Sequence, residues 1–332
     1  MSSGGRLVDL VQHRIDEFLD ARAPILAAIA DETAPLSEIS RDFLRFGKRF
    51  RARFAYWGWQ AVQGTEDPAD FFGDLSRTDL PAVIGVASAL ELFHAAALVH
   101  DDLIDASDTR RGAPSAHRRF TQAHRDGGFV GDADRFGDSA AILLGDLLLV
   151  WSDELFADSL EQLADRGNAR AARAEYNRMR TDVTAGQYLD IAAEASWPLV
   201  RPGREVDTAV NVITYKSAKY SIEAPLAIGA SLGGASLAQM AALRDFGLPL
   251  GIAFQLRDDL LGVYGDSEVT GKPAGDDLVE GKRTVLIALA QRELPVSVRR
   301  TMDELLGDPE LTHEQVLMLQ ETIRASGAID EV

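Results

Sequence analysis

The 332-residue chain contains no cysteine. This absence excludes a disulfide framework, a thiolate nucleophile and a cysteine-ligated zinc site. The N-terminal residues MSSGGRLVDLVQHRIDEF lack the apolar core of a signal sequence, and residues 80–99 are interrupted by Pro81, Glu91 and His94. We therefore predict a cytoplasmic protein without a membrane span.

Positive charge is also scarce, and lysine is rarer than arginine. The formal net charge is -18, and a nucleic-acid partner is not expected because a phosphate backbone requires a basic face. In a chain that mostly uses arginine, each lysine is a candidate for a compact charge that binds phosphate. The lysines are Lys48, Lys216, Lys219, Lys272 and Lys282.

Strand-type alternation does not recur along the chain, whereas apolar residues recur at helical spacing. With 46% apolar residues and no obvious linker, we predict one domain over residues 1–332. The expected fold is an all-α bundle around a central apolar cavity. The predicted helices cover residues 6–30 and 36–62, a long segment from Pro81 to the first aspartate motif, and residues 138–163, 168–193, 237–266 and 283–327. Residues 121–137 are Gly- and Asp-rich and are predicted to be mobile.

Two apolar helices each end in adjacent aspartates. The first carries Asp101, Asp102 and Asp105, of which Asp101 and Asp105 lie one turn apart on the same face. The second carries Asp258 and Asp259, with Gly262 at the position that corresponds to Asp105. Oxygen ligands alone favour a hard ion such as Mg²⁺, which bridges to substrate phosphate. A solvated acidic helix end is the alternative for either cluster taken alone.

The order of four motifs resembles that of the trans-prenyltransferases, or isoprenyl diphosphate synthases. The resemblance extends from about residue 40 to residue 287. Its motifs are the two aspartate clusters, the Gly-Lys-Arg-Phe-Arg segment at 47–51 and Arg-Arg-Gly at 110–112. It implies the isoprenoid-synthase fold, a homodimer, three Mg²⁺ ions, and the substrates isopentenyl diphosphate and an allylic diphosphate.

The resemblance also assigns roles to individual residues. Lys48, Arg51, His94 and Arg111 would bind isopentenyl diphosphate, and Arg110 would bind the allylic diphosphate. Lys48 and Arg51 are predicted to share one face of helix 36–62, and Glu91 is the expected neighbour that orients His94. The family's first Gly and its Pro in the basic segment are replaced here by Phe46 and Ala52.

The remaining implied residues serve the metal ions, the leaving group or the substrate. Metal ligands would come from Asp101, Asp102, Asp105, Asp258 and Asp259. With the metals, Arg110, Lys216 and Lys272 would neutralise the pyrophosphate that leaves, and Gln187 would lie near the allylic phosphate or cation. The further expected substrate-binding residues are Ser217, Phe254, Gln255 and Lys282.

Product length depends on how far the growing tail can extend along the helix that carries Asp101. Ala96 and Ala97, one turn before Asp101, are small. Phe93 is eight residues before Asp101, about 12 Å along the axis, and is a candidate floor. We therefore expect geranylgeranyl diphosphate as the main product. The alternative is that Phe93 faces the neighbouring core and the floor lies elsewhere.

Other functions remain as alternatives. A longer-chain synthase would share every motif. A terpene cyclase would carry an Asn-Ser/Thr-Glu type of second motif and would not need an isopentenyl diphosphate site. A non-catalytic partner subunit is suggested by Gly262 alone, and a purely structural bundle does not explain so many phosphate-type residues at matching spacings.

Overall fold

A computed structural model of the chain describes residues 3–45, 47–64, 79–265 and 274–332. The all-α prediction is confirmed, and the only strands among the described residues form a hairpin of two residues each. The α-helices are α1 Ser3–Ala27, α2 Ala34–Phe43, α3 Phe50–Gln63, α4 Leu80–Ile104, α5 Ala116–Asp126, α6 Ala133–Glu161, α7 Arg166–Ser196, α8 Glu205–Val212, α9 Ala224–Leu232, α10 Leu237–Tyr264, α11 Asp276–Glu280, α12 Val285–Glu293, α13 Val296–Leu305, α14 His313–Ala325 and α15 Ala328–Glu331. The hairpin is β1 Thr109–Arg110 with β2 Ala113–Pro114.

Two predictions about chain organisation are wrong. The single helix expected over 36–62 is two helices, because Gly47 and Arg49 have φ angles of 148° and 52°. The mobile stretch expected over 121–137 is mostly helical, since α5 extends to Asp126 and α6 begins at Ala133. The side chain of Asp132 caps α6 by accepting from the backbone N–H of Asp134 at 3.0 Å. Only the short connection between α5 and α6 is irregular.

The chain divides into two compact units. Unit 1 comprises residues 1–176 and 224–244, and unit 2 comprises residues 177–223 and 245–332. The first aspartate cluster and the basic segment belong to unit 1. The second aspartate cluster and Lys216 belong to unit 2.

Helix α4 forms the core of unit 1. It is apolar on every side, which is typical of a helix surrounded by protein, and it packs against α1, α3 and α6. By length and composition alone α4 could cross a membrane, with a mean hydropathy of 1.9, but 83% of that apolar window is buried in the protein. Such burial is typical of a core helix. The aspartates at the end of α4 are therefore attached to a buried core helix of the unit.

Unit 2 has its own apolar core, in which α12 is buried from Val285 to Gln291 and packs with α8 and α15. Trp197 lies in this core and donates from Nε1 to Gln291 Oε1 at 2.8 Å. Tyr264, at the end of α10, donates to the carbonyl of Gln320 at 2.7 Å. The Tyr264 contact joins the second aspartate helix to α14.

A π-helix connects α8 to α9 over Ile213–Glu223. Eleven residues is long for this geometry, which is rare and is frequently found at functional sites. Lys216 and Ser217 both lie in it. No local pattern in residues 213–223 indicated this element.

Candidate active site

The first aspartate cluster lies where α4 ends. Asp101 and Asp102 are in its last turn, and Asp105 closes the helix by donating its backbone N–H to the carbonyl of Asp101 at 2.8 Å. The Asp102 side chain is fully buried, whereas Asp101 is partly exposed. The three carboxylates therefore differ in their access to solvent, and Asp101 and Asp105 are the two that can meet a ligand.

Arg110 binds Asp102 through its guanidinium group. Its Nε donates to Asp102 Oδ1 at 2.6 Å, its Nη2 contacts the same oxygen, and Nη2 lies 3.8 Å from Asp101 Oδ2. Burial alone would lower the pKa of Arg110, but the Asp102 hydrogen bond and the charges of Asp101, Asp102 and Asp105 outweigh it and raise the pKa. Arg110 is thus permanently charged beside the acidic cluster.

A tight hairpin turn places Arg110 and Arg111. Arg110 pairs with Ala113, and the two residues between them, Arg111 and Gly112, have φ angles of 54° and 76°. Two positive φ angles in a two-residue loop are typical of a type I′ turn. The Arg111 guanidinium lies 3.6 Å from the position that a Cβ would occupy at Gly47. The hairpin therefore brings Arg111 to the basic segment and leaves Arg110 on the aspartates.

The basic segment lies in the break between α2 and α3. Lys48 is exposed and Arg51 is half-buried, whereas Arg49 is turned inward and buried. Arg49 Nη1 lies 3.3 Å from Glu91 Oε2, and its Nη2 contacts the carbonyl of Leu44. This inward contact fixes the break in the chain, so Lys48 and Arg51 do not share one helix face as predicted.

Glu91 serves the start of α3. Its Oε1 accepts from the backbone N–H of Ala52 at 3.1 Å, while its Oε2 pairs with Arg49. Both carboxylate oxygens therefore hold the basic segment against α4. The expected role of Glu91 was to orient His94, and these contacts give it a different partner.

His94 lies three residues further along α4, within the field of four arginines. Burial lowers its pKa well below the ordinary value of 6.5, and the positive charges of Arg51, Arg111, Arg110 and Arg49 lower it further. The imidazole is therefore neutral at neutral pH and can donate one hydrogen bond and accept another. Four cations around a neutral donor form a suitable place for a polyanion such as diphosphate.

The product-length residues lie along one row of α4. Phe93, Ala97 and Asp101 are spaced by four residues and share a face. Ala97 is partly exposed, whereas Ala96 is fully buried and Phe93 is 4% exposed. The Phe93 ring meets Tyr176 edge-on at 6.2 Å, and Tyr176 stacks on Phe156 at 4.0 Å. A rigid aromatic group thus lies below the aspartates.

The second aspartate cluster in unit 2 has one exposed and one buried carboxylate. Asp258 is exposed, whereas Asp259 is 6% exposed and accepts from Gln255 Nε2 at 2.8 Å. Burial raises the pKa of Asp259 to about 7; the Gln255 hydrogen bond opposes this rise, and the charge of Asp277 adds to it. Gln255, predicted to contact substrate, therefore has a defined protein partner. Phe254 is exposed.

The segments that carry Lys216 and Gln187 pack closely in unit 2. Gly186 lies against the π-helix, where a Cβ would come within 2.7 Å of the backbone of Tyr215 and Lys216. Gln187, the next residue of α7, is half-buried. Lys216 Nζ forms an ion pair with Asp190, and Ser217 is half-buried. Gly186 was the one sequence signal for this packing.

Lys272 and Lys282 are the two predicted phosphate ligands that follow α10 in the chain. Lys282 Nζ contacts Glu280 Oε2 and lies 3.7 Å from Asp277 Oδ1. Lys272 lies outside the described residues.

The aspartates suit Mg²⁺ by their chemistry. Within the described ranges no three His, Asp or Glu side chains form a group that could hold a metal by themselves. Mg²⁺ does not need such a group, because it keeps several waters and binds one or two carboxylates together with substrate phosphates. In addition, Asp259 Oδ2 is buried without a hydrogen-bond partner among these residues. The donors therefore fit a hard cation that arrives with a phosphate ligand.

The sequence patterns identified residues that could contact a ligand. They did not identify the residues and elements that position those ligand-binding side chains. Arg49, the hairpin turn at Arg111 and the π-helix have no local signature. Glu91 was noticed, but its contacts could not be deduced from spacing.

Known proteins are similar to this chain in sequence and in fold. The sequence profile described as polyprenyl synthetase matches residues 33–323. A geranylfarnesyl diphosphate synthase from Aeropyrum pernix is 33% identical over 249 residues, which are 74% of this chain and 70% of the relative. A geranylgeranyl diphosphate synthase from Methanosarcina mazei is 30% identical over 331 residues, 96% of this chain and 86% of the relative.

A solved structure is more similar still. The crystal structure of geranylgeranyl pyrophosphate synthase from Corynebacterium glutamicum, complexed with isoprenyl diphosphate and magnesium, is 40% identical with a TM-score of 0.89. The match covers 98% of this chain and 88% of that one. These likenesses confirm the predicted isoprenoid-synthase fold and the prediction of a prenyltransferase. The chain belongs to the polyprenyl synthetase family.

Proposed function

We propose that the chain catalyses the Mg²⁺-dependent head-to-tail condensation of isopentenyl diphosphate with an allylic diphosphate, and that geranylgeranyl diphosphate is the main product. The observation that carries this proposal is the arrangement around the end of α4, where Arg110 binds Asp102 and the hairpin brings Arg111 to the basic segment. The neutral His94 lies in the field of these arginines. An anion-binding group at the base of an aspartate cluster suits a substrate with a diphosphate head. The named relatives support the same substrate class.

Ionisation of the allylic diphosphate is the first chemical step. The C–O bond to the diphosphate breaks, and the electron pair leaves with pyrophosphate, so an allylic cation remains. Arg110, held by Asp102, presents a fixed positive charge to the leaving group, and we assign Lys216 and Lys272 the same task. Mg²⁺, when bound, would supply further charge neutralisation, and we assign its binding to Asp101 and Asp105 in unit 1 and to Asp258 in unit 2.

Isopentenyl diphosphate then attacks the cation through its double bond. A carbon–carbon bond forms, and loss of one proton restores a double bond in the product; we assign that proton to the departing pyrophosphate. Lys48, Arg51 and Arg111 hold the diphosphate of this substrate, while His94 donates a hydrogen bond to it. No side-chain nucleophile takes part, which agrees with a chain that lacks cysteine.

Asp102 and Glu91 act through the arginines that they hold. Asp102 is fully buried and engaged with Arg110, so we assign it to the positioning of Arg110. Glu91 positions the segment that carries Lys48 and Arg51. Asp259, Gln187, Ser217, Phe254, Gln255 and Lys282 complete the set that we assign to substrate and metal binding.

Three Mg²⁺ ions, a homodimer and a cytoplasmic location are part of the same proposal. Phe136, Leu143 and Val150 recur every seven residues on α6 and are 38%, 63% and 63% exposed, which supports a second copy as the partner of this face. Light scattering should give the mass of a dimer, and Leu143→Glu should shift it towards the monomer. A wild-type monomer would remove the homodimer from the proposal.

The decisive experiment is a product analysis. Purified protein, Mg²⁺ and isopentenyl diphosphate are incubated with each allylic starter, and the dephosphorylated alcohols are sized by chromatography. A twenty-carbon alcohol supports the proposal, and a ladder of longer alcohols retains the chemistry but rejects the product. No product from any starter rejects the catalytic proposal and favours a non-catalytic partner subunit. The double variant Asp101→Ala with Asp102→Ala provides the inactive control.

A further inference from the structure

The second aspartate motif lacks its third carboxylate. In the first motif, Asp105 follows Asp101 by four residues, whereas Gly262 follows Asp258 by four. Residues four apart on a helix lie on one face. By sequence alone, the face of α10 that carries Asp258 therefore has one acidic side chain fewer than the corresponding face of α4.

Asp277 occupies the place of the absent side chain. A Cβ built at Gly262 would have all three atoms of the Asp277 carboxylate group within 2.9 Å, so the carboxylate lies directly against the glycine. Asp277 comes from α11, eighteen positions away from Asp259 in the chain. A side chain at 262 would displace the Asp277 carboxylate from this position.

The surrounding backbone holds Asp277 there. The N–H of Gly275 donates to the carbonyl of Gly262 at 3.1 Å, which ties the start of α11 to the end of α10. The N–H of Lys282 donates to the carbonyl of Asp277 at 3.1 Å, and Lys282 Nζ lies 3.7 Å from Asp277 Oδ1. Backbone hydrogen bonds before and after Asp277 in the chain therefore place its carboxylate. The carboxylate lies close to Lys282, a predicted phosphate ligand.

A second observation points to a cation at this group. Asp259 is more than nine-tenths buried, Gln255 satisfies its Oδ1, and its Oδ2 has no hydrogen-bond partner among the described residues. Asp258, Asp277 and Lys282 are the charged groups that act on it. A buried carboxylate oxygen without a partner is costly unless a cation or donor meets it.

We infer that Asp277 supplies the third carboxylate of the second aspartate motif, in place of a side chain at position 262, and helps this motif to bind Mg²⁺ with diphosphate. The inference rests on the proposed function. Asp277 contributes its negative charge to the binding of the cation and holds the ammonium group of Lys282 nearby. Gly262 is then a requirement of this arrangement and not a sign of a lost activity.

The test removes the carboxylate at position 277 and introduces one at position 262, first separately and then together. Asp277→Asn is expected to weaken Mg²⁺-dependent binding of pyrophosphate by about tenfold, the effect typical of residues that support a metal site. Gly262→Asp alone should also weaken it, because the new side chain meets Asp277. The double variant Gly262→Asp with Asp277→Gly restores one carboxylate and should recover most of the loss.

Binding is measured by titration calorimetry with pyrophosphate at saturating Mg²⁺, and each variant's melting temperature is recorded without ligand. Asp276→Asn, which removes the same charge from the adjacent residue of α11, is the matched control and should bind within about twofold of wild type. Binding by Asp277→Asn within that range overturns the inference. So does a double variant that melts like wild type but binds no better than Asp277→Asn.

The two proposals fail separately. If wild type makes prenyl product while Asp277→Asn binds pyrophosphate as wild type does, the inference is wrong and the proposed function stands. If wild type makes no product but its Mg²⁺-dependent binding depends on Asp277, the proposed function fails and the role of Asp277 in binding is retained.

Discussion

Arg49 and Glu91 form an ion pair buried beneath the basic segment, with Arg49 Nη1 3.3 Å from Glu91 Oε2 and both side chains 4% exposed. The pair joins α4 to the start of α3, where Glu91 also accepts from the N–H of Ala52. Breaking one partner of a buried pair typically costs about 3–5 kcal/mol, because the other charge remains buried. The geometry of the segment that carries Lys48 and Arg51 therefore depends on Glu91.

We expect Glu91→Gln to lower the melting temperature and to raise KM for isopentenyl diphosphate more than KM for the allylic substrate. The selective rise would follow from displacement of Lys48 and Arg51, which we assign to isopentenyl diphosphate. Glu154→Gln is the matched control, because Glu154 pairs with Arg22 in a more exposed position and such pairs contribute about 0–1 kcal/mol. Equal changes in the KM values for the two substrates would contradict a selective role of Glu91 in isopentenyl diphosphate binding. Glu91 would then contribute to stability alone.

Asp102 and Arg110 should behave as one unit. Arg110 uses Nε and Nη2 on the same carboxylate, a planar contact that lysine cannot reproduce. We expect Asp102→Asn and Arg110→Lys each to lower kcat by about tenfold or more, and the double variant to lose less than the sum in free energy. Asp101→Asn should instead raise the Mg²⁺ concentration needed for half-maximal rate. Additive effects of the first two variants would contradict the coupling.

The sequence predicted the long helices and the chemical types in the site because both depend on local patterns. The apolar run of α4 and the carboxylates at its end can be read directly. The break between α2 and α3 could not, since Phe43, Leu44, Phe50 and Phe54 continue helical spacing through it. The inward contact of Arg49 with Glu91, 42 residues away, decides the backbone there.

The π-helix and the place of Asp277 escaped prediction for a similar reason. Residues 213–223 have ordinary helical composition, and the extra residue per turn depends on the tertiary packing of their neighbours. Gly262 looked like a defect because its neighbour in space, Asp277, is fifteen residues away in the chain. Long-range contacts therefore decided both points.

His94 should make stability depend on pH. Its folded-state pKa is lowered by burial and by the four arginines, whereas the unfolded chain binds a proton near pH 6.5. Below that pH the unfolded state binds more protons, so the free energy of unfolding falls as the pH decreases, by at most about 1.4 kcal/mol for each pH unit. The contribution is complete above pH 6.5 and is lost progressively below it.

The measurement is urea unfolding between pH 7.5 and pH 5.5, without metal, for wild type and His94→Asn. The variant should lose less stability over this range than wild type does. His13→Asn is the control, because His13 is exposed beside Glu17 on α1. Parallel curves for wild type and His94→Asn would show that the imidazole titrates normally.

Phe93 should limit product length through its contact with Tyr176. The Phe93 ring is 4% exposed and lies on the row of α4 that leads through Ala97 to Asp101. Phe93→Ala should therefore shift the main product from a twenty-carbon alcohol to longer ones, because the space along this row becomes deeper. The substitution should also cost about 3–5 kcal/mol of stability, so the assay is run well below the variant's melting temperature.

The control must separate depth from lost stability. Phe18 on α1 is also buried, at 3% exposure, and its ring packs against Trp151 and not along this row of α4. Phe18→Ala should lose comparable stability and keep the wild-type product. Longer products from both variants would mean that a loosened core, and not Phe93, sets the length. Unchanged products from Phe93→Ala would place the floor elsewhere, since its ring would then serve only the aromatic core with Tyr176.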